Sequence, residues 1–366
     1  MARTVYVLGA GANMVVRHRA REVRPPLARD FFRQLHRDLT ADELARLRDE
    51  NSELYEYIGH YWKLGFHDLS TANFDLEECF TLLEQHEKDA KRRQDYADYF
   101  RLWEIKGQLT VLLAGLLDDI SSNQPPGEEG LRPLARRVLG EGAAVLTFNY
   151  DTLLEQAIIQ ESGQSWDPIP AYAAPFNLID VHDGRPFAEF RSAKFLPQAH
   201  AAPFLKMHGS LNWFRVVGGG ETVEEAPGML VQRHERLGQT LVCPVGGTAT
   251  SPVSGNTRVL ADGTLLEQLI ITPVLNKAVD EQPFAQVWQK AREELRGCSQ
   301  LVVCGYSFPP TDFTTRRLFL ESFVGAPPGE ILVINPDTSI VRQVKDLCHF
   351  EGPISVCGDL REYVRG

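Results

Sequence analysis

The sequence predicts an α/β protein with a doubly wound parallel sheet and a large helical insertion. Short apolar runs alternate with helical segments along most of the chain, and this alternation is typical of parallel sheets built from βαβ units. Glycine or small polar residues stand directly after most of the runs. Between the first run and the second, residues 27–120 show many helical signals and few strand signals, so we expect the insertion there.

The first element is the apolar run Val5–Leu8, which is followed at once by Gly9-Ala-Gly11. β-Branched and aromatic residues favour a strand buried on both faces. Glycines after such a strand let the chain turn tightly and let a phosphate approach, and a helix that begins there offers free N–H groups to an anion. The segment Gly9–Asn13 is therefore interpreted as a dinucleotide cradle. It lacks the third glycine of the full fingerprint, and a simple turn is the alternative.

The segment 27–129 is predicted to form the helical insertion, or lid. Thr40 is interpreted as a helix N-cap because Glu43 follows three residues later, as in a capping box. Apolar residues at helical spacing predict three further helices. These run from Asp30 to Leu39, onward from Asn73, and from Phe100 to Ile120, and the breaker residues Ser121–Gly127 end the last one.

Residues 1–26 and 130–366 are predicted to form one domain around the sheet. Further strands are expected at 143–149, 203–207, 269–272, 300–304, 330–334 and 354–356. Helices are expected at 131–139, closed by Gly140, and at 152–158, 284–295 and 313–322. Residues 217–264 are rich in Gly, Thr, Ser and Pro, which favours a mobile loop or hairpin insert within this domain.

Polar residues at the ends of the predicted strands form the candidate site. In doubly wound sheets, ligands bind beyond the carboxyl ends of the strands. We therefore expect five segments to converge on one edge of the sheet: Gly9–Asn13, Asn149–Asp151, His208–Ser210, Gly305–Ser307 and Asn335–Asp337.

Composition restricts the class of protein further. The chain has 366 residues, of which 43% are hydrophobic and 24% charged, as is ordinary for a soluble globular protein. The net charge of −11 disfavours binding to the negatively charged nucleic-acid backbone, so direct nucleic-acid binding is not expected. No apolar run is long enough to span a membrane, and the first residues do not form a secretory signal, so a cytoplasmic protein is expected. The six cysteines include no Cys-x-x-Cys pair, so we expect reduced core residues rather than a zinc site.

The candidate site resembles, segment by segment, the sirtuin-like family and in particular its divergent bacterial branch. Gly9-Ala-Gly11-Ala-Asn13 resembles the family's first glycine motif, and Thr147-Phe-Asn149-Tyr-Asp151 its Thr-Gln-Asn-Ile-Asp motif. Lys206-Met-His208-Gly209-Ser210 is similar to its His-Gly catalytic motif. Gly305-Tyr-Ser307 is similar to its Gly-Thr-Ser loop, and Ile334-Asn335-Pro-Asp337 to its ribose-contacting Ile-Asn motif. The five motifs occur in the family's order and span nearly the whole chain.

This resemblance implies a Rossmann-like fold that binds NAD. It implies cofactor contacts from the motif residues Gly9, Ala10, Gly11, Ala12, Asn13, Ser210, Gly305, Ser307 and Asn335, with the glycines and Ser307 at the diphosphate and Asn335 at the adenosine ribose. It also implies that the catalytic residues Asn149, Asp151 and His208 surround the nicotinamide ribose.

Two departures from the family pattern bear on activity. Asn13 stands in place of the usual serine, and Cys243 stands alone where the family has paired zinc cysteines, so no metal is expected. The zinc-free branch includes NAD-cleaving effectors of bacterial antiphage defence, and the resemblance therefore implies an NAD+ glycohydrolase. Cleavage of the nicotinamide–ribose bond develops positive charge on the sugar, as glycoside hydrolysis does. A carboxylate from Asp151, a base from His208 and an orienting amide from Asn149 suit that chemistry.

Other functions stay open from the sequence. The chain could be a non-catalytic NAD or ADP-ribose-binding subunit of a larger defence complex, or an NAD-dependent deacylase or ADP-ribosyltransferase. An NADase must be gated, so we expect a homo-oligomer, a bound ligand, or a partner such as a HerA-type ATPase or another defence protein. The helical insertion is the predicted surface for the oligomer or the partner.

Structural roles remain the alternative for each site residue. His208 could be a hydrogen-bonded core histidine. Asn149 and Asp151 could cap the helix that follows them. Gly305–Ser307 could be a plain turn. The arginines at 17–37 could bind phosphate or a partner, or they could be a solvated helix face.

Overall fold

The computed structural model describes residues 3–123, 130–163, 165–179, 190–191, 202–219, 222–226, 229–232, 237–243, 245, 251–254, 257–259, 264–271 and 279–365. The strands are β1 Thr4–Leu8, β2 Ala144–Thr147, β3 Asn177–Ile179, β4 Phe190–Arg191, β5 Phe204–Lys206, β6 Gly209–Gly218, β7 Thr222–Ala226, β8 Met229–Gln232, β9 Thr240–Val242, β10 Ser251–Ser254, β11 Thr257–Val259, β12 Leu265–Ile270, β13 Gln300–Cys304, β14 Glu330–Ile334 and β15 Ser355–Cys357.

The helices are α1 Phe31–Leu35, α2 Ala41–Glu50, α3 Ser52–Trp62, α4 Leu76–Arg92, α5 Tyr96–Ser122, α6 Arg132–Glu141, α7 Leu153–Glu161, α8 Pro168–Ala171, α9 Phe284–Arg296, α10 Phe313–Phe323, α11 Ile340–Cys348 and α12 Leu360–Arg365. Two 3-10 helices span Ala10–Val15 and Asp68–Ser70. Within the described ranges, no helix combines the length and apolar character needed to cross a membrane.

The central sheet confirms the predicted α/β class. It has six strands in the order β15-β14-β13-β1-β2-β5, and each neighbouring pair is parallel. Numbered by their sequence in this sheet, the strands run 6-5-4-1-2-3, which is the Rossmann order. The chain reverses its direction of winding between β1 and β13. Ligands bind at this switch point in open α/β sheets.

A second, largely antiparallel sheet was not predicted. Its order is β10-β11-β12-β6-β9-β3-β4, and its longest strand, β6, begins directly after His208. The run 269–272 was expected in the parallel sheet, and that expectation is wrong: Leu269 and Ile270 belong to β12, which pairs with β6. A run of apolar residues identifies a strand but not its partner, because pairing is decided by contacts distant in sequence. Of the predicted insert at 217–264, the residues 220–221, 227–228, 233–236, 244, 246–250, 255–256 and 260–263 lie outside the described part.

The helical segment between β1 and β2 holds α1 to α5. The capping box is confirmed: the Thr40 hydroxyl accepts from the Glu43 N–H, and the Glu43 carboxylate accepts from Thr40 N–H. The helix predicted over 30–39 is wrong in its extent, because α1 ends at Leu35 and Asp38 adopts a positive φ of 61°. Helix α6 runs past the predicted stop at Gly140 and ends at Glu141, because the C-cap residue Gly142 has a positive φ of 59°. Helix α11 was not predicted.

Candidate functional site

A cavity of about 910 Å³ lies at the switch point, beyond the carboxyl ends of the parallel strands. The segments after β1, β2, β13, β14 and β15 line it, and part of its wall comes from the helical segment through Leu76, Glu77, Leu113 and Leu117. Nine of the twelve predicted site residues line this cavity: Ala10, Gly11, Asn13, Asn149, Asp151, His208, Gly305, Ser307 and Asn335.

The other three predicted residues do not line the cavity. Ala12 is buried with 1% of its surface exposed, and Ser210 is fully buried in β6, where its hydroxyl donates to the Tyr150 carbonyl at 3.2 Å. Gly9 packs closely against the backbone of Gly305 and Tyr306. Their contact with a cofactor stays a prediction.

Three glycines bring the ends of β1 and β13 into direct backbone contact. A Cβ atom on Gly9 would lie 2.6 Å from the Gly305 carbonyl oxygen, and one on Gly11 would lie 2.7 Å from the Gly305 Cα. The Gly11 N–H donates to the Gly305 carbonyl at 2.9 Å, and the Ala12 N–H donates to the Gly9 carbonyl at 2.9 Å. These glycines therefore set the distance between the two strand ends. The N–H groups of Gly11 and Ala12 thus donate hydrogen bonds to backbone carbonyls of the protein itself.

Asn149 and Asp151 are held by the neighbouring loop rather than by their own helix alone. The Asn149 side-chain amide donates to the Gly9 carbonyl at 3.1 Å. The buried Asn13 amide donates to Asp151 Oδ2 at 2.6 Å, and the Leu153 N–H donates to Asp151 Oδ1 at 3.1 Å. Thr152, rather than Asn149 or Asp151, occupies the N-cap position of α7, and it makes no side-chain cap bond. Asp151 accepts from the first N–H of the helix, and its bond from Asn13 ties it to the glycine segment.

A buried charge network lies beneath Asp151. Lys206 and Glu155 are each 1% exposed and form an ion pair at 3.0 Å, and the Lys206 ammonium also donates to the Asp151 carbonyl. Burial raises the pKa of Asp151, whereas the Lys206 charge and the hydrogen bonds from Leu153 and Asn13 lower it. Burial likewise raises the pKa of Glu155 against the opposing effect of Lys206. The network fixes the loop after β2 to β5 and α7.

His208 has a buried acidic partner that the sequence did not suggest. Its Nε2 atom lies 3.3 Å from Asp312 Oδ2, and the two residues are 5% and 3% exposed. The Tyr306 hydroxyl donates to the same oxygen at 2.6 Å. Asp312 is also the N-cap of α10, since its Oδ1 accepts from the Thr315 N–H at 3.1 Å. In the sequence, an Asp before a helix indicates only a cap.

Aromatic rings enclose the imidazole of His208. The Phe148 ring meets it edge-on at 5.0 Å between centroids, and Tyr306 stacks on Phe148 at 4.0 Å and 7°. His208 lies at the edge of the cavity. The sequence left open whether His208 is a hydrogen-bonded structural residue or a residue that lines the site. In the structure, His208 is both hydrogen-bonded and part of the cavity lining.

The far end of the cavity is more exposed. Ser307 and Asp337 are exposed, and Asn335 Oδ1 accepts from the Asp337 N–H at 2.9 Å. The hydrogen bonds from Ser339 lower the pKa of Asp337. Asp359 and Arg361 line the same end, and the Arg361 N–H donates to Asp359 Oδ1 at 2.7 Å.

Among the described residues, no cluster of three or more His, Cys, Asp or Glu side chains has a geometry that could hold a metal ion. Cys243 is buried, and burial raises its pKa to about 12, so the thiol is the form present at neutral pH.

Comparisons with known proteins give only distant likenesses. No family model matches the chain, and no curated protein is similar to it. Among solved structures, a Sir2 homologue in complex with ADP-ribose is 13% identical, with 99% of this chain and 88% of that chain covered at a TM-score of 0.39. A Sir2 mutant with a p53 peptide and NAD is 11% identical, with 99% and 90% covered at a TM-score of 0.38. At these values the likeness says nothing about what this chain binds or catalyses.

Proposed function

We propose that this chain is an NAD+ glycohydrolase that cleaves NAD+ to nicotinamide and ADP-ribose. The observation that carries the proposal is that Asn149, Asp151 and His208 line one cavity at the switch point of a Rossmann-ordered sheet. The ordered sirtuin-like motifs of the sequence support the choice of NAD among nucleotides.

The dimensions of the cavity suit a dinucleotide. Its volume of about 910 Å³ falls in the range of small-molecule sites. The strand ends from β15 to β2 span four inter-strand spacings, or about 19 Å. In this proposal the adenosine half lies near Asn335 and Asp359, and the nicotinamide half lies near Asn149 and His208.

Two arginines favour a diphosphate between these halves. Arg17 and Arg361 both line the cavity, and the Arg17 guanidinium donates to the carbonyls of Met14 and Val16 rather than to a carboxylate. Burial lowers the pKa of Arg17, with smaller contributions from the charges of Arg361 and Arg24. A bound diphosphate would neutralise this concentration of positive charge.

The chemistry requires one bond to break and one to form. The C–N bond at the nicotinamide-bearing carbon breaks with its electron pair going to nitrogen, so neutral nicotinamide leaves. A water oxygen bonds to that carbon and loses a proton, which His208 accepts as general base. The Asn149 amide orients the water, and the Asp151 carboxyl faces the positive charge that develops on the sugar.

The first test is nicotinamide release by purified protein supplied with NAD+. We expect Asn149→Ala and His208→Ala each to lower kcat by about 10²-fold or more, the usual scale for a lost base or orienting group. His60→Ala, at an exposed position on α3, is the matched control and should keep wild-type activity. Activity retained by both cavity variants would refute the proposal.

An acyl-lysine peptide separates the alternative functions in the same assay. A hydrolase releases nicotinamide without the peptide, whereas a deacylase or ADP-ribosyltransferase needs an acceptor. A non-catalytic subunit binds ADP-ribose but releases nothing in any assembly state.

The proposed enzyme would be a gated effector of antiphage defence that assembles with itself or with a defence partner. The helical segment offers support, because Tyr61, Tyr96 and Phe100 are exposed aromatic residues on α3 and α5. Size-exclusion chromatography with light scattering tests the assembly. A mass of one chain at micromolar concentration would contradict the homo-oligomer.

A further inference from the structure

One carboxyl oxygen of Asp312 lies within hydrogen-bonding distance of two side chains at the cavity. His208 Nε2 lies 3.3 Å from Asp312 Oδ2, and the Tyr306 hydroxyl donates to the same atom at 2.6 Å. Nearly the whole surface of each of the three residues is buried. An imidazole N–H that faces a carboxylate is thereby held in one orientation and one tautomer.

The backbone fixes Asp312 independently of His208. The Oδ1 atom accepts from the Thr315 N–H at the start of α10, so the second oxygen is directed by the cap. The Phe148 ring also packs against the imidazole in a T-shaped arrangement, with 5.0 Å between the ring centroids. The ring is therefore restrained both by a polar partner and by packing.

We propose that Asp312 is a positioning residue that accepts a hydrogen bond from Nε2–H of His208 and thereby fixes the orientation and tautomer of this ring. This inference rests on the proposed function. When the attacking water loses its proton to His208, the ring becomes an imidazolium, and the Asp312 carboxylate stabilises it. No proton needs to pass to Asp312.

Other titratable groups around His208 come from several elements. Tyr150, after β2, lies 6.2 Å away between centroids, and its hydroxyl donates to the Ile271 carbonyl. Burial raises the pKa of Tyr150 and of Tyr306 well above the ordinary value, so both phenols are neutral near pH 7. Asp151 follows Tyr150, and its Oδ2 accepts from the Asn13 amide while its Oδ1 accepts from the Leu153 N–H.

The direct test is ¹⁵N NMR of the histidine rings in the full-length protein, with the His208 signal assigned from a His208→Asn variant. We expect wild-type His208 to carry its proton on Nε2 when neutral. In Asp312→Asn we expect its titration midpoint to fall by about one pH unit, because a neighbouring negative charge stabilises the imidazolium. A proton on Nδ1, or an unchanged midpoint, would overturn the proposal.

Two further variants guard against a general loss of structure. Tyr306→Phe keeps the ring that stacks on Phe148 but removes one donor to Asp312, so the midpoint should rise, opposite to Asp312→Asn. Asp95→Asn removes the N-cap carboxylate of α5, which accepts from the Asp98 N–H at 3.1 Å, and it should leave the midpoint unchanged. Shifts of the same sign in all three variants would contradict the assignment.

Kinetics separates this proposal from the proposed function. Asp312→Asn should lower kcat with little change in KM, and the rise of kcat with pH should move to lower pH together with the NMR midpoint. A wild-type protein that releases no nicotinamide but shows the Nε2–H tautomer would refute the hydrolase and keep the pairing. An active Asp312→Asn variant with the wild-type pH profile would refute the positioning role alone.

Discussion

At the end of β13, Gly305 combines a positive φ of 61° with the closest backbone contact at the switch point. A Cβ atom there would lie 2.1 Å from the Ala12 nitrogen and 2.3 Å from the Gly11 carbonyl carbon. We expect Gly305→Ala to lower the free energy of unfolding by about 3 kcal/mol or more, since the clash adds to the cost of the conformation. Urea unfolding followed by circular dichroism measures the change.

Gly142 is the matched control for the backbone conformation alone. It has a φ of 59° but open space around its Cβ position. Gly142→Ala should therefore cost only about 1–2 kcal/mol. Equal losses in the two variants would show that the conformation, rather than the contact between strand ends, makes glycine necessary at 305.

At this same scale, the sequence indicated residues that the structure brings to one cavity, but it did not reveal all of their contacts. Glycines at 9, 11 and 305 were interpreted as a phosphate cradle, and the structure shows that they also pack against each other across the sheet. That contact joins residues almost 300 positions apart and leaves no local signal. Asp312 was missed for the same reason, because its bond to the helix is local and its approach to His208 is not.

Between elements, the pair of Lys206 on β5 and Glu155 on α7 is the principal buried charge contact near the site. We expect Lys206→Met to lower the free energy of unfolding by about 3–5 kcal/mol at pH 8, because it leaves a buried carboxylate without its partner. Since burial raises the pKa of Glu155, the folded protein binds that proton more tightly than the unfolded chain, and stability falls as pH rises. The loss of unfolding free energy caused by Lys206→Met should therefore be smaller at pH 5 than at pH 8.

A second substitution distinguishes the charge from the lost packing. Glu155→Gln in the Lys206→Met background removes the uncompensated carboxylate and should recover most of the stability at pH 8. The bond from Lys206 to the Asp151 carbonyl stays lost, so recovery should be incomplete. A double variant no more stable than Lys206→Met would mean that Glu155 is not the source of the deficit.

Elements with local signals were the ones the sequence could predict. The capping box of Thr40 and Glu43 lies within four residues, and β14 coincides with the apolar run at 330–334. The second sheet escaped prediction because β6 pairs with β9 and β12, and the choice of partner depends on how the whole chain folds. The parallel class of the central sheet followed from the alternation of apolar runs with helical segments, which is a general rule, whereas the order of its strands was not predicted.

Across the whole molecule, the cavity is assembled from parts that are far apart in the chain. The loop 25–29 before α1, the loop 305–312 after β13 and residues 358–361 before and within α12 all contribute to its wall. The loop before α1 is held by Asp30, which accepts from the Leu27 N–H at 2.7 Å and pairs with Arg24. A ligand that fills the cavity must contact all three segments at once.

Binding of ADP-ribose should therefore protect these three segments together. With ligand at about 100 times its Kd, mass action stabilises the folded state by about 2.7 kcal/mol. In hydrogen–deuterium exchange we expect slower exchange at 27–29, 305–308 and 358–361, because the ligand reduces local opening of the loops it contacts. Helix α2, which has no buried residue and does not line the cavity, is the internal control and should keep its rate. If only residues 305–308 were protected, the ligand would contact the end of the sheet, and the helical segment would not belong to the site. If α2 were protected as well, the ligand would stabilise the whole protein without a defined contact.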